Sequence, residues 1–103
     1  MQYRKEIRAY KDMEVTYREL SSALIRLGYR NATDEKYFRY INDEYNSVIL
    51  LQLPRKSEDE TIHKVYFAAL SQNMEWKGVL DDMDDLAKMI ERDREMTQAT
   101  TAG

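Results

Sequence analysis

The stretch KYFRYINDEYNSVILLQLP, residues 36–54, decides the fold. Its first part, residues 36–41, is rich in Tyr, Phe and Ile, and residues 47–53 form an almost continuous apolar run, so both parts favour β-strands. Residues 42–46 between them carry the turn-forming types Asn and Asp, which indicate an antiparallel hairpin. Pro54 lacks a backbone N–H and ends the second strand. The sequence therefore predicts a hairpin at the centre of the domain.

A helix is predicted upstream of the hairpin, over residues 17–27. Thr16 and Glu19 have the spacing of a capping box, in which each side chain accepts a hydrogen bond from the backbone amide of the other. Three leucines then recur at spacings of four and three, which gives the helix one apolar face. Gly28 follows at the position where helices often end in a left-handed residue.

A second helix is predicted downstream, from an apolar stripe at helical spacing across residues 62–74. Ser57 and Thr61 are alternative N-caps for this helix, and the sequence leaves the choice open. Trp76 near its end has two interpretations, an anchor for a partner or a side chain that closes one end of the core. We favour the core interpretation.

An acidic cluster, DDMDD at residues 81–85, precedes a third predicted helix. Asp81 or Asp82 can cap this helix, which we expect to run to about Arg94. Acidic side chains stabilise the positive end of a helix dipole, and their spacing does not fit a calcium-binding EF-hand loop, so no metal site is predicted. Residues 96–103 hold too little apolar surface to fold and are expected to form a disordered tail.

These elements organise the chain into one domain with two flanking segments. Residues 1–15 are an N-terminal extension, in which residues 4–13 form either a weakly packed helix or a frayed segment. Residues 16–95 form the domain itself, and residues 29–35 are either a short edge strand or a loop. The order of elements is typical of a small α+β fold, the double-stranded-RNA-binding-like α-β-β-(β)-α arrangement with an extra C-terminal helix.

Composition excludes several classes of function. The 103 residues include no Cys and a single His, so a disulfide framework, a Cys nucleophile and a His-rich zinc cluster are all excluded. No run of 18 apolar residues could span a bilayer, and the N-terminus does not have the pattern of a secretory signal. We expect a soluble cytoplasmic protein without a cofactor. The net charge of −3 lacks the basic excess that is usual in nucleic-acid-binding proteins.

The segment TYRELSSALIRLGY, residues 16–29, resembles the opening of the HicA family of toxin–antitoxin ribonuclease toxins. The Glu-Leu pair at 19–20 and the Gly-Tyr pair at 28–29 stand where that family has a Glu-Leu pair and a closing Gly with an aromatic residue. The resemblance extends over about residues 16–78. It implies the double-stranded-RNA-binding-like fold and an antitoxin-like protein partner.

The catalytic motif of that family is missing here. The resemblance implies a Gly-Ser-His motif on the first long strand, whose histidine serves as general acid or base, but the matching residues 35–40 are EKYFRY. Tyr37 or Phe38 occupies the place of the histidine. A tyrosine with an ordinary pKa near 10 is almost wholly protonated at neutral pH and is poorly suited to that role. His63 is the remaining candidate for a catalytic imidazole, and an ordinary surface or half-buried histidine is the favoured interpretation.

Tyr37, Phe38, Arg39 and Tyr40 are the candidate binding residues. Their rings could stack on RNA bases and Arg39 could contact a phosphate, but alternation along a strand places Phe38 and Tyr40 on one face and Tyr37 on the other. We expect at least one face to serve the core or an interface. The leading hypothesis is a non-catalytic HicA-like domain that binds a partner protein or itself as a homodimer. The alternative is an RNA-binding protein or a ribonuclease with the same fold.

Overall fold

A computed structural model describes residues 13–54 and 57–102 of the chain. The elements in chain order are helix α1 (Tyr17–Arg26), strands β1 (Arg30–Asn31), β2 (Tyr37–Asn42) and β3 (Ser47–Gln52), and helices α2 (Lys64–Trp76) and α3 (Asp85–Ala102). The predicted α+β class is confirmed, with one helix, a three-stranded antiparallel sheet and two further helices.

Helix α1 begins and ends as its sequence predicts. The side chain of Thr16 accepts from the backbone amide of Glu19, and the carboxylate of Glu19 accepts from the amide of Thr16 at 3.0 Å, so the capping box is complete. Gly28, just after the helix, has a φ of 94°, a conformation that residues with a Cβ rarely adopt.

The sheet has the strand order β1-β2-β3, and the predicted hairpin is confirmed. Asn46 in its turn has a φ of 52°, which asparagine tolerates better than most residues. The segment that the sequence left open between strand and loop forms the two-residue strand β1, which pairs with β2. Residues 32–34 then continue along β2, where the amide of Ala32 donates to the carbonyl of Arg39 at 2.8 Å.

One face of the sheet and all three helices form the core. The buried apolar residues come from every described helix and from both long strands; they include Leu20 and Leu24, Phe38 and Tyr40, Ile49, Leu70 and Met74, and Leu86 and Ile90. Because the three described helices lie on the same side of the sheet, none of them packs on the opposite side of the hairpin.

Helix α2 begins later than either predicted cap allows. Neither Ser57 nor Thr61 caps it; the N-cap is His63. Thr61 forms an antiparallel bridge with Thr16, and the amide of Ile62 donates to the carbonyl of Val15 at 2.7 Å. These contacts hold residues 61 and 62 extended, so the helix can begin only after them.

The two ends of the domain also differ from the prediction. Helix α3 continues to Ala102 instead of ending near Arg94, so residues 96–102 are helical where a disordered tail was expected. No Pro or Gly interrupts the chain between these positions, and Ala, Gln and Met favour a helix. At the other end, Val15 is buried in the core and belongs to the domain, not to an extension. The prediction for residues 4–13 lies, apart from Met13, outside the described residues.

Candidate functional site

The side of the hairpin that faces away from the described helices is a candidate surface, and we call it the outer face. Alternation along the two strands assigns six side chains to it, and the register places them in three cross-strand pairs: Tyr37 with Gln52, Arg39 with Leu50, and Ile41 with Val48. The intervening residues, among them Phe38 and Ile49, point into the core.

The outer face is apolar and open. Val48 is 53% exposed, Leu50 is 51% exposed and Tyr37 is 41% exposed. Single exposed apolar residues are common on protein surfaces, but adjacent ones on an uncovered sheet face are typical of an interaction site. The other face of the hairpin serves the core, as the sequence predicted for at least one face, and no described helix covers the outer face.

The structure separates the four candidate binding residues. Phe38 and Tyr40 are only 6% and 3% exposed, and their ring centroids lie 4.6 Å apart in the core. The hydroxyl of Tyr40 is hydrogen-bonded to that of Ser21. Neither ring can stack on a ligand, so a platform of all four residues is not formed. Tyr37 and Arg39 remain on the outer face.

The charge of Arg39 is balanced by a neighbour. Its Nη2 lies 3.3 Å from Oδ2 of Asp34. The other oxygen of Asp34 accepts from the backbone amides of Lys36 and Tyr37 at 2.8 and 2.9 Å, and these bonds lower the pKa of the Asp34 carboxyl. Arg39 is therefore paired with a carboxylate that is stabilised in its ionised form, which reduces its value as a phosphate contact.

His63 has a structural role. Its Nδ1 accepts a hydrogen bond from the amide of Val65 at 3.1 Å, which caps α2. The ring lies 5.5 Å from the ring of Tyr66. Nδ1 therefore serves the helix cap and is not free to accept a proton from a substrate, which leaves only Nε2 outside the cap.

β3 forms one side of the sheet, and no other strand of the described residues lies beyond it. The amide of Leu53 donates toward the carbonyl of Lys36 on the β2 side, at 3.5 Å. Backbone bonding alternates along a strand, so Val48, Leu50 and Gln52 direct their backbone groups away from β2. The hydroxyl of Tyr17 donates a hydrogen bond to the outward carbonyl of Gln52 at 2.9 Å.

Val48 and Leu50 thus present unpaired backbone groups. Within residues 13–54 and 57–102, no hydrogen bond reaches the outward N–H or C=O of either residue. We call these four groups the β3 edge. Natural sheets usually protect such edges with charged side chains, proline or a bulge, and residues 47–52 contain no charge and no proline.

A groove of about 300 Å³ runs between β3 and α2. Residues 48–51 line one side, and Tyr66, Ala69, Leu70 and Asn73 line the other. The Oδ1 of Asn73 is buried, and no donor among the described residues reaches it. The groove therefore combines apolar walls with a polar atom that lacks a partner.

Helix α2 also carries exposed apolar side chains on the face that includes Ala69, which lines this groove. Val65, Ala69 and Trp76 recur at spacings of four and seven, so they share one helix face, which we call the α2 ridge. Trp76 is 84% exposed, which corrects the expectation that it closes the core. From the sequence alone, residues 62–74 form one wide apolar stripe, and the helix by itself does not show which part of that stripe faces the core.

The acidic cluster before α3 makes local bonds. Asp82 accepts from the amide of Asp84 at 3.0 Å, and Asp85 accepts from the amide of Asp82 at 3.1 Å. Among the residues that the structure describes, no group of three or more His, Cys, Asp or Glu side chains is arranged to hold a metal ion. These carboxylates serve the start of the helix.

The described helices include none that is long and apolar enough to cross a membrane. Comparison with known proteins gives no match, whether with family models, with curated proteins or with solved structures.

Proposed function

We propose that this chain is a non-catalytic binding domain that pairs with a β-strand of a partner protein. The observation that carries the proposal is the β3 edge, whose unpaired backbone groups lie between two apolar surfaces, the outer face and the groove beside α2. A strand added beside β3 would form hydrogen bonds with the backbone groups of the β3 edge, and its alternate side chains would contact the two surfaces. The partnerless Oδ1 of Asn73 supports an occupant in the groove.

Several features favour a protein partner over RNA. Two of the four candidate aromatic and basic residues are buried, and Arg39 is paired with Asp34. The net charge of −3 offers little of the phosphate attraction on which nucleic-acid binding depends. An uncharged strand between apolar surfaces fits a polypeptide better than a polyanion.

The resemblance of residues 16–29 to HicA toxins extends the proposal. It supports a double-stranded-RNA-binding-like fold and a role in a toxin–antitoxin context, where the partner is an antitoxin-like protein. The catalytic strand of that family has no imidazole at the matching positions here, and His63 caps α2. We therefore propose that the domain retains binding without RNA cleavage.

A peptide titration tests the binding proposal. The probe contains residues 47–52 between flanking lysines, and the protein is kept dilute and observed by amide NMR. We expect the amide signals of Val48 and Leu50 to shift and their hydrogen exchange to slow. The matched control peptide carries N-methyl groups at its two pairing positions, which removes the donors. Equal responses to both peptides, or no response to either, would contradict strand addition.

A further inference from the structure

The β3 edge itself indicates which strand would pair with it. Resting on the proposed function, we infer that the partner strand is β3 of a second copy, paired antiparallel about a two-fold axis with Ile49 opposite Ile49 of that copy. The product is a six-stranded sheet that runs through both subunits.

The charge pattern of β3 suits pairing with itself. A two-fold axis brings each residue close to its own symmetry mate or to a near neighbour of it, so any charge on the strand would meet a like charge across the axis. Residues 47–52, SVILLQ, carry none, although charged residues make up 34% of the chain. The strand also lacks the lysine or proline that would oppose such pairing.

The free backbone groups select one register. In a two-fold antiparallel pair, outward-bonding residues face outward-bonding residues. If Val48 faced Val48 of the second copy, Leu50 would face Asn46, whose φ of 52° places it in the hairpin turn, so two alternatives are left. If Leu50 faced Leu50 of the second copy, Val48 would face Gln52 of that copy. The amide of Val48 would then have to donate to the carbonyl of that Gln52, which already accepts a hydrogen bond from the hydroxyl of Tyr17 in its own chain. If Val48 faces Leu50 of the second copy, each N–H and C=O of the β3 edge finds a partner and Gln52 is not needed.

The same register arranges the apolar surfaces. The axis stands perpendicular to the sheet, so both outer faces lie on one side and become continuous, with Val48 of each copy beside Leu50 of the other. Both α2 helices lie on the opposite side, near the axis, where the two α2 ridges can cover each other. A lone added strand would leave Trp76 exposed, whereas a second copy brings an apolar helix to it.

Engineered cysteines test both the pairing and its register. The chain has no Cys, so Val48→Cys and Leu50→Cys each introduce a single thiol, and both side chains are half exposed, so folding is retained. Directly opposed Cα atoms lie about 5.5 Å apart, within disulfide range, but diagonal neighbours lie about 7–8 Å apart and fall largely outside it. We expect a disulfide-linked dimer on a non-reducing gel when the two variants are mixed and oxidised. Neither variant oxidised alone should give that dimer.

A matched control places the second thiol elsewhere. Ser57 is exposed and lies outside β3, so Ser57→Cys mixed with Leu50→Cys is expected to stay unlinked. A dimer from Leu50→Cys alone would overturn the register, and absence of the mixed dimer, with a monomeric mass by light scattering at high concentration, would overturn self-pairing. If the peptide in the preceding test still bound, the proposed function would stand while this inference failed.

Discussion

The hydroxyl of Tyr17 in α1 donates a hydrogen bond of 2.9 Å to the backbone carbonyl of Gln52 in β3. This contact ties the first helix to the last strand. It also ends the open part of the strand, because beyond Leu50 the next outward carbonyl is already paired. Burial raises the pKa of the Tyr17 hydroxyl, so it remains protonated and able to donate.

Removal of this hydroxyl should destabilise the domain modestly. Tyr17→Phe keeps the ring, which lies 5.5 Å from that of Phe38, and deletes only the hydrogen bond. We expect a loss of about 0.5–1.5 kcal/mol in the free energy of unfolding, measured by urea denaturation. Tyr66→Phe is the control, because Tyr66 is exposed, and should change stability by less than about 0.5 kcal/mol. Equal losses in the two variants would show that the contact contributes nothing specific.

The ion pair of Glu19 with Arg94 should make stability depend on acid pH. The guanidinium of Arg94 holds the pKa of the Glu19 carboxyl below its ordinary value of 4.5. The unfolded chain binds this proton at higher pH than the folded one, so the contribution of the pair is complete above the unfolded pKa. It is lost as pH falls through the lower, folded pKa.

Glu19→Gln isolates this pair, because glutamine can still complete the capping box. We expect a loss of about 1 kcal/mol at pH 7 and a smaller difference from the wild type at pH 3, by urea denaturation at each pH. Glu58→Gln removes an exposed partner of Arg18 and is the control. A difference between wild type and Glu19→Gln that stays constant from pH 7 to pH 3 would be inconsistent with the ion pair.

His63 should matter for stability and not for RNA cleavage. His63→Ala removes the cap of α2 and is expected to cost about 1 kcal/mol, whereas His63→Asn supplies another capping side chain and should restore most of it. Thermal unfolding measures both. Incubation with labelled RNA should give the same background with all three proteins, and cleavage that disappears in both variants would make His63 catalytic after all.

The two faces of β2 should respond differently to truncation. Phe38→Ala opens a cavity in the core and is expected to cost about 3–5 kcal/mol in the free energy of unfolding. Tyr37→Ala, at the adjacent exposed position, should change that quantity by less than about 0.5 kcal/mol. Chemical denaturation of both variants at low protein concentration is the measurement. A similar cost at both positions would mean that the outer face is covered within one chain.

Much of the fold was readable because its signals are local. The capping box of Thr16 and Glu19, the left-handed Gly28 and the hairpin with its Asn-rich turn each depend on a few neighbouring residues, and each is found in the structure. The start of α2 depends instead on Thr61 pairing with Thr16, a contact across the chain that local propensity cannot show.

The orientation of the hairpin was not readable from hydropathy. Ser47 is buried while Val48 is exposed, the reverse of the usual preference. The hydroxyl of Ser47 is paired with that of Tyr29 at 2.6 Å in the core, which compensates for its burial. The exposure of Val48 therefore follows from a tertiary hydrogen bond of its neighbour, and the sequence alone indicated only that at least one face of the hairpin would serve the core or an interface.

Hydrogen exchange at the amides of Val48 and Leu50, followed by NMR over a series of protein concentrations, tests the central claim most directly. Both amides point away from β2 and have no partner among the described residues, so we expect their protection to come from a strand of another molecule. We expect fast exchange in dilute protein and protection that grows with concentration, while the amides that pair with β2 stay protected throughout. Fast exchange at Val48 and Leu50 at every concentration would contradict the account.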